Sequence, residues 1–304
     1  MEEVVIQETI NKKHKTDPKK LLKSIVKRLL IILGLTFLCA IFLFPVVWMI
    51  SNSLKPSEDV YRQMSTIWTF LPSSLNVAEW FKSYARLFSE FDLFSKLLNS
   101  VIYCLISILG VLLINSFAGY ALARFRFPGS KVIQTVIVLL MIIPVETSIV
   151  PLYTILDILG LVKEETSVIG YLLPGFCSLF YIYMFRQFFL GMPIEIEEAA
   201  RIDGCSRLGI YFKMILPLSL PIFATVAIFT FMGQWNEYIF AQLMLPDKWQ
   251  PLQVFLQIVQ DQANTQKEIS LVMAALTFST IPIVLVYIFA QKYIVEGVSF
   301  TGLK

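Results

Sequence analysis

The chain has 304 residues, of which 57% are hydrophobic and 15% are charged, and its formal net charge is +3. Soluble domains average about 45–50% apolar and about 25% charged residues, so this composition excludes an ordinary soluble globule. The apolar residues come in runs long enough for bilayer-crossing helices of roughly 20 residues, whereas a β-barrel needs short alternating segments. The sequence therefore predicts an all-α, polytopic membrane protein.

The first 28 residues form a basic tail that ends in "KKLLKSIVKR". Its apolar residues recur on one helical face with lysines opposite, so we expect an amphipathic helix at the membrane surface. A cleaved signal peptide is the alternative. The apolar run at residues 29–50 is too long for one and lacks a small-residue cleavage site. The pattern predicts a retained first span and a transmembrane domain over residues 29–304.

Five more apolar runs follow the first. The six predicted spans cover residues 29–50, 97–123, 132–148, 168–189, 218–243 and 271–290. A polar stretch at residues 51–96 separates the first two spans, and a loop at residues 245–270 precedes the last. The Pro-Val-Glu sequence at residues 144–146 predicts that the third span ends there and a surface helix begins. A role in closing an outer gate is the alternative.

Lysine and arginine favour the cytoplasmic side of a membrane protein. With a cytoplasmic N-terminus, 17 of the 25 lysines and arginines fall inside and 8 outside. Both termini and the segment at residues 191–217 are therefore predicted to be cytoplasmic. The four cysteines form no CxxC pair and the single histidine, His14, lies in the tail, so no metal site is expected. The net charge of +3 says nothing about nucleic acid, because the placement of the charges matters more than their sum. Membrane lipid is an expected partner, and nucleic acid is not.

A charged segment, "EEAARIDGCSRLGIYFKMILPLSLP" from Glu197, interrupts the apolar sequence between the fourth and fifth spans. Pro193 suits a first helical position, and the glutamates that follow stand where the helix dipole favours acids. Arg201 lies four residues after Glu197, a spacing that predicts an exposed ion pair. Gly204 can end the helix in the left-handed conformation.

Ala199 and Ala200 give this helix a small face that another protein could approach closely. A solvated loop and a docking helix for a cytoplasmic partner are the two alternatives that the residues alone leave open.

The segment resembles the EAA loop of the membrane subunits of binding-protein-dependent ABC importers. That pattern is Glu-Ala-Ala, three residues, Gly, nine residues, Ile, one residue and Leu-Pro. The residues that match it are Glu198, Ala199, Ala200, Gly204, Leu216 and Pro217, and Met214 replaces the isoleucine. The resemblance implies a MetI-like fold and a coupling helix, including Arg201 and Asp203, that sits in a cleft of the ATP-binding subunit. It also implies three partners: a dimer of that cytoplasmic subunit, a second homologous permease and an extracellular or periplasmic solute-binding protein.

Three further stretches resemble maltose-type carbohydrate permeases. They are "FMGQWNEYIFAQ" at residues 231–242, "NSVIYCLISILGVLLINSFAGYALARFRFPGSK" at residues 99–131 and the ending "AQKYIVEGVSFTGLK". The ending departs from the family pattern in its last small residues. The likeness covers almost the whole chain from Leu29. It implies a bacterial plasma-membrane permease that takes up an oligosaccharide or related sugar.

An acid near a membrane interior is costly and usually faces a cavity or a partner, which makes Glu237 a candidate for the substrate pathway. Trp235, Asn236 and Tyr238 are its neighbours, and the aromatic rings could stack on a sugar. Helix capping by Glu237 and an interfacial position for the aromatic residues are the alternatives.

The sequence contains no GxxxxGK[ST] phosphate loop, no GxSxG elbow and no histidine cluster. No catalytic residue and no cofactor are therefore expected in this chain, and ATP and magnesium are expected in the partner ATPase. An ABC permease for a non-sugar solute and an ion-coupled secondary transporter are the alternative functions. A secondary transporter usually has internal repeats, and none is visible.

Overall fold

The computed structural model describes residues 18–73 and 76–302, and it describes the side chains of residues 22–73, 76–263 and 267–291. Across these described residues the chain forms helices joined by turns and short irregular stretches, without a β-strand. The all-α prediction is confirmed for this part of the chain. His14 and most of the predicted basic tail lie outside the described residues.

The N-terminal part of the fold is one long helix, a group of short helices and a second long helix. They are α1 (Pro18–Ser53), α2 (Ser57–Gln63), α3 (Val77–Trp80), α4 (Lys82–Glu90) and α5 (Leu93–Arg124). Helix α1 passes through residues 28 and 29 without interruption, because no proline occurs between its first residue and Pro45. The predicted surface helix and the predicted first span are therefore parts of one continuous helix.

The central part contains a broken pair of helices. Its helices are α6 (Ser130–Leu140), α7 (Ile149–Ile158), α8 (Ser167–Leu172), α9 (Leu179–Leu190) and α10 (Glu195–Ile202). The chain bends by 98° between α6 and the segment that contains α7. Pro144 lies in the bend in an extended conformation, which proline favours for itself and for the residue before it. The predicted break at Pro144 is confirmed, but a straight third span to residue 148 is wrong because α6 ends at Leu140.

The C-terminal part brings the chain back through a second bend. Its helices are α11 (Arg207–Ile210), α12 (Leu216–Leu218), α13 (Leu220–Asn236), α14 (Ile239–Met244), α15 (Leu252–Gln266) and α16 (Ile269–Gly302). The predicted fifth span is interrupted after Asn236, so its last residues form the separate helix α14. The predicted sixth span, residues 271–290, agrees with the apolar segment Ile269–Gln291 of α16, and the helix continues beyond it to Gly302.

Four helical segments among the described residues are long and apolar enough to cross a membrane, and two bent pairs would raise the number to six. The four are Leu22–Ser53, Leu93–Arg124, Ser167–Leu190 and Ile269–Gln291, and the bent pairs are Ser130–Leu140 with Val145–Ile158 and Arg207–Leu218 with Leu220–Asn236. Helix α5 packs mainly against α9 and α13, and α1 packs against α16. These contacts make α5 the central helix of the fold.

The polar stretches between spans are folded parts of the structure. Helices α4 and α15 supply Leu87, Leu252 and Val259 to a buried apolar cluster that also holds Trp235 of α13. Lys55 is buried nearby, and its ammonium group donates to Gln63 Oε1 at 2.9 Å and to the carbonyl oxygens of Trp68 and Thr69 at 2.9 and 3.0 Å. The stretches predicted as loops therefore contain helices that pack into the buried core.

The break between α8 and α9 is held by a buried side chain of α5. Asn115 Nδ2 donates to the carbonyl oxygen of Phe176 at 2.8 Å, and its Oδ1 accepts from the backbone N–H of Ser178 at 2.8 Å. Irregular backbone at membrane depth needs such partners because lipid offers no hydrogen bonds. One asparagine therefore compensates for the interruption of this span.

Candidate functional site

The EAA segment forms a short helix with well-defined ends. Helix α10 begins at Glu195 and carries three glutamates in its first turn. Pro193 precedes the helix, so its predicted first helical position is wrong by two residues. Gly204 follows the helix with φ of +82°, a left-handed conformation that costs other L-residues about 1–2 kcal/mol. The predicted helix stop at Gly204 is confirmed.

The inner face of α10 is buried against the chain's own helices. Ala200 is 2% exposed and belongs to an apolar cluster with Tyr120, Phe189 and Ile210. We expected both alanines to face another protein. This expectation is wrong for Ala200, because the amphipathic period of the helix turns that position toward α5 and α9. Ala199 is exposed, as predicted.

Glu197 does not form the exposed ion pair with Arg201 that its spacing predicts. Its Oε1 lies 2.6 Å from Nε of Arg124, the last residue of α5, and both side chains are buried. Tyr120 donates its hydroxyl hydrogen to Glu197 Oε2 at 2.9 Å, and Arg124 Nη2 donates to the carbonyl oxygen of Met192 at 2.9 Å. The tertiary partner takes precedence over the local one because a carboxylate facing inward needs a buried counter-charge.

The outer face of α10 carries the remaining residues of the segment. Glu198, Arg201, Asp203 and Gly204 are exposed, and Ile202 is 87% exposed. An isoleucine at that exposure on a charged helix leaves apolar surface uncovered in this chain. Leu208, six residues further along the chain, is also exposed. Charged and apolar side chains therefore share one accessible surface.

The chain beyond Gly204 is attached to α5 as well. Ser206 caps α11 by accepting the backbone N–H of Gly209 at 3.1 Å, and a π-helical turn follows at Tyr211–Ile215. Tyr211 is buried and its hydroxyl lies 2.6 Å from that of Ser116 in α5. Leu216 and Pro217 form α12, whose bend leads into α13.

The second candidate region lies where α13 ends. Trp235 is 1% exposed, stacks on Phe231 and donates its indole N–H to the carbonyl oxygen of Ser279 at 3.3 Å. The ring is therefore used in the core, and in this structure it is not accessible for stacking on a sugar. Asn236 and Tyr238 are exposed.

Glu237 caps the next helix. Its carboxylate accepts the backbone N–H groups of Phe240 and Ala241 at 2.7 and 3.0 Å and the hydroxyl of Tyr171 at 3.1 Å. Of the two alternatives for this acid, the described contacts are those of a helix cap. A carboxylate that accepts three hydrogen bonds has its negative charge compensated without a counter-ion.

The structure keeps the two candidate regions apart. Leu216 and Pro217 precede α13 and Glu237 follows it, and this helix of 17 residues is about 25 Å long at about 1.5 Å per residue. The sequence did not identify Tyr120 and Arg124 as partners of the EAA segment. The signal for Arg124 was an arginine at the end of an apolar run. The preference of arginine for the cytoplasmic side already explains such a residue, so the sequence alone provided no reason to look for a partner.

A chain of hydrogen bonds that the sequence also did not reveal joins α5, α13 and α8. Ser107 lies 3.0 Å from Gln234 Oε1, and Gln234 Nε2 donates to the hydroxyl of Tyr171 at 2.6 Å. Tyr171 continues the chain to Glu237. The available signal was the presence of polar side chains within apolar helices. In a membrane such side chains find their hydrogen-bond partners within the protein.

Residues 115–300 match the family described as "Binding-protein-dependent transport system inner membrane component". The chain belongs to this family of permeases. It is 32% identical over 277 residues to the arabinooligosaccharides transport system permease protein AraQ of Halalkalibacterium halodurans, covering 90% of this chain and 96% of the relative. It is 31% identical over 290 residues to the trehalose/maltose transport system permease protein MalG of Thermococcus litoralis, covering 93% and 99%.

A solved structure has the same fold. A crystal structure of a bacterial ABC transporter involved in the import of the acidic polysaccharide alginate matches with a TM-score of 0.73 and 26% identity, covering 90% of this chain and 97% of that chain. A crystal structure of a bacterial alginate ABC transporter, in complex with an alginate pentasaccharide-bound periplasmic protein, matches with a TM-score of 0.62 and 13% identity, covering 88% and 94%. The MetI-like fold implied by the EAA loop is confirmed.

Proposed function

We propose that this chain is a permease subunit of an ATP-driven ABC importer that takes up an oligosaccharide or related sugar. The single observation that supports the importer is the outer face of α10, where Ile202 lies uncovered beside the exposed charged residues of this helix segment. Apolar surface exposed among charged side chains is typical of a protein interface. The relatives named for arabinooligosaccharides, trehalose/maltose and alginate support a carbohydrate as the solute.

The proposal assigns the outer face of α10 to a cytoplasmic ATP-binding subunit dimer, which binds ATP and magnesium. The residues assigned to this contact are Glu198, Ala199, Arg201, Asp203 and Gly204, with Leu216 and Pro217 connecting the contact to α13. Ala200 supports the same helix from inside. A permease of this kind works with a second homologous permease and receives its solute from a binding protein outside the membrane.

The proposed topology has six spans, with each bent pair counted as one, and cytoplasmic N- and C-termini. The lysine and arginine distribution supports this orientation, which places the EAA segment at residues 191–217 inside. Residues 29–304 then form one transmembrane permease domain in the bacterial plasma membrane, preceded by the basic tail. The exposed Asn236 and Tyr238 are the pathway candidates at the proposed outer end of α13.

Reconstitution tests the function directly. We expect the chain, purified with the second permease, the ATP-binding subunit and the binding protein, to import labelled arabino-oligosaccharides or maltose-type sugars into ATP-loaded proteoliposomes. A labelled amino acid is the solute control, and an ionophore that collapses ion gradients is the energy control. Uptake of the amino acid alone would favour a non-sugar importer. Uptake that needs an ion gradient and not ATP would contradict the proposal of an ABC importer.

A further inference from the structure

The contact between α10 and α5 contains a buried ion pair in addition to apolar packing. Arg124 Nε and Glu197 Oε1 are 2.6 Å apart, and among the described residues neither atom has a well-aligned hydrogen bond to another group. The rest of both side chains is fixed by Tyr120 and by the carbonyl oxygen of Met192. The pair is therefore a single electrostatic contact held from both sides.

A buried pair of this kind resists separation. Pulling Glu197 away from Arg124 would leave two uncompensated charges in a poorly solvated site, whereas apolar side chains can slide past each other between alternative packings. The neighbouring exposed residues of α10 lack this constraint. The ion pair therefore fixes where α10 sits along α5, and a displacement of α10 carries the end of α5 with it.

Helix α5 extends from this contact to the other polar connection in the fold. Arg124 and Ser107 are 17 residues apart on one helix, which is about 26 Å at about 1.5 Å per residue. Ser107 is bonded to Gln234 of α13, and Gln234 is bonded to Tyr171. Gly119 brings α5 so close to α9 that a Cβ there would lie 2.6 Å from Cβ of Phe185. Helices α5 and α9 therefore meet along a tight contact next to the ion pair.

We propose that Arg124 and Glu197 are positioning residues that couple α10 to α5, so that movement of α10 during ATP hydrolysis reaches the spans through this pair. The proposal rests on the proposed importer function and adds the residues inside this chain that transmit the movement. The pair stays closed through the transport cycle. Neither residue touches ATP or solute, so the effect of removing the pair is a loss of coupling.

The test measures moles of ATP hydrolysed per mole of solute imported by the reconstituted complex. The single variants Glu197→Gln and Arg124→Met each remove one charge, and the double variant Glu197→Gln/Arg124→Met removes both, so that no charge is left buried without a partner. Glu195→Gln and Arg126→Met are matched controls, because both residues are exposed and close in sequence to the pair.

We expect the ATP-binding subunit to co-purify with the double variant as with the wild type, and the ATP-to-solute ratio to rise at least tenfold. Both controls should keep the wild-type ratio. A double variant that assembles and keeps the wild-type ratio would overturn the proposal. Failure of the double variant to assemble would also overturn it, because the pair would then serve folding and not coupling.

The single variants and a hydroxyl deletion refine the result. Tyr120→Phe removes one hydrogen bond to Glu197 and keeps the ion pair, so we expect a ratio between those of the wild type and the double variant. The proposed function is judged separately, by which solute the wild-type complex imports. The ratio can be measured with whichever solute the binding protein carries, so a non-sugar solute would end the carbohydrate assignment and leave this test intact.

Discussion

The EAA helix and the stretch at residues 235–238 are both polar interruptions of an apolar chain, but they distribute their side chains differently. In α10 the helical period separates an inner face, with Glu197 and Ala200, from a continuous outer face. At the end of α13 the helix stops, and the buried Trp235 and the capping Glu237 alternate with exposed neighbours. A continuous helix can therefore present a surface to a partner. At a break between helices, polar side chains are instead used to hydrogen-bond the free backbone groups.

The largest expected effect comes from reversing the two faces of α10. Ala200→Arg places a charged side chain in the apolar cluster, and a buried unpaired charge costs several kcal/mol. We expect almost no monodisperse protein after detergent extraction. Ala199→Arg, one residue away and exposed, should fold normally and lose the co-purifying ATP-binding subunit. Normal yield of Ala200→Arg in size-exclusion chromatography would mean that the inner face is assigned wrongly.

The corresponding change in the second region is Trp235→Ala. It removes the ring that stacks on Phe231, and truncation of a buried aromatic residue costs about 3–5 kcal/mol. We expect a large fall in the melting temperature of the solubilised complex. Tyr238→Ala is the control, since Tyr238 is 42% exposed and should leave the melting temperature nearly unchanged. Equal effects of the two variants would contradict the inward placement of Trp235.

An intermediate effect is expected where α10 ends. Gly204→Val introduces a β-branched residue at a φ of +82°, at a cost of about 1–2 kcal/mol. No neighbouring atom lies within 4 Å of a Cβ built at this position, so the expected loss is conformational. Gly233→Ala, in the last turn of α13 with equally open space, is the control. Circular dichroism during heating should show a lower transition for Gly204→Val alone.

The smallest effect separates capping from solute contact at residues 236 and 237. Glu237→Gln weakens the cap of α14, and loss of a helix cap costs about 0.5–2 kcal/mol. We expect a lower melting temperature and an unchanged apparent KM for sugar uptake. Asn236→Ala should do the reverse, with a changed KM and unchanged stability. A changed KM for Glu237→Gln at normal stability would return this acid to the substrate pathway.

Much of the architecture follows from the sequence because long apolar runs and one spaced motif are local signals. The spans around α1, α5 and α16, the break at Pro144 and the turn at Gly204 were all predictable in this way. The Arg124–Glu197 pair was not, because it joins residues 73 positions apart and competes with the closer Arg201. Local spacing predicts an interaction only if the side chain faces solvent, and the sequence does not state which face a short helix buries.

The helices within residues 51–96 and 245–270, which the sequence predicts as a polar stretch and a loop, were not predicted for a related reason. The helices have 4 to 15 residues, a range in which an isolated helix is marginal in water, so they gain stability from packing and not from helix propensity. Arg86 of α4 illustrates this, since it bonds to Glu90 on its own helix and to Glu268 just before α16. These hydrogen bonds lower the pKa of Glu90 and raise that of Arg86.

The burial of Lys55 has a consequence for chemical labelling. All three protons of its ammonium group are donated to neighbouring oxygens, and desolvation lowers its pKa. An amine-reactive probe needs access as well as a neutral amine, so Lys55 should resist modification while Lys82 and Lys163, which are exposed on the same proposed side of the membrane, react readily. On intact cells, label on those two lysines would report sidedness. Label on Lys55 would appear only when the segment at residues 51–96 unfolds, which makes this lysine an internal reporter of folding.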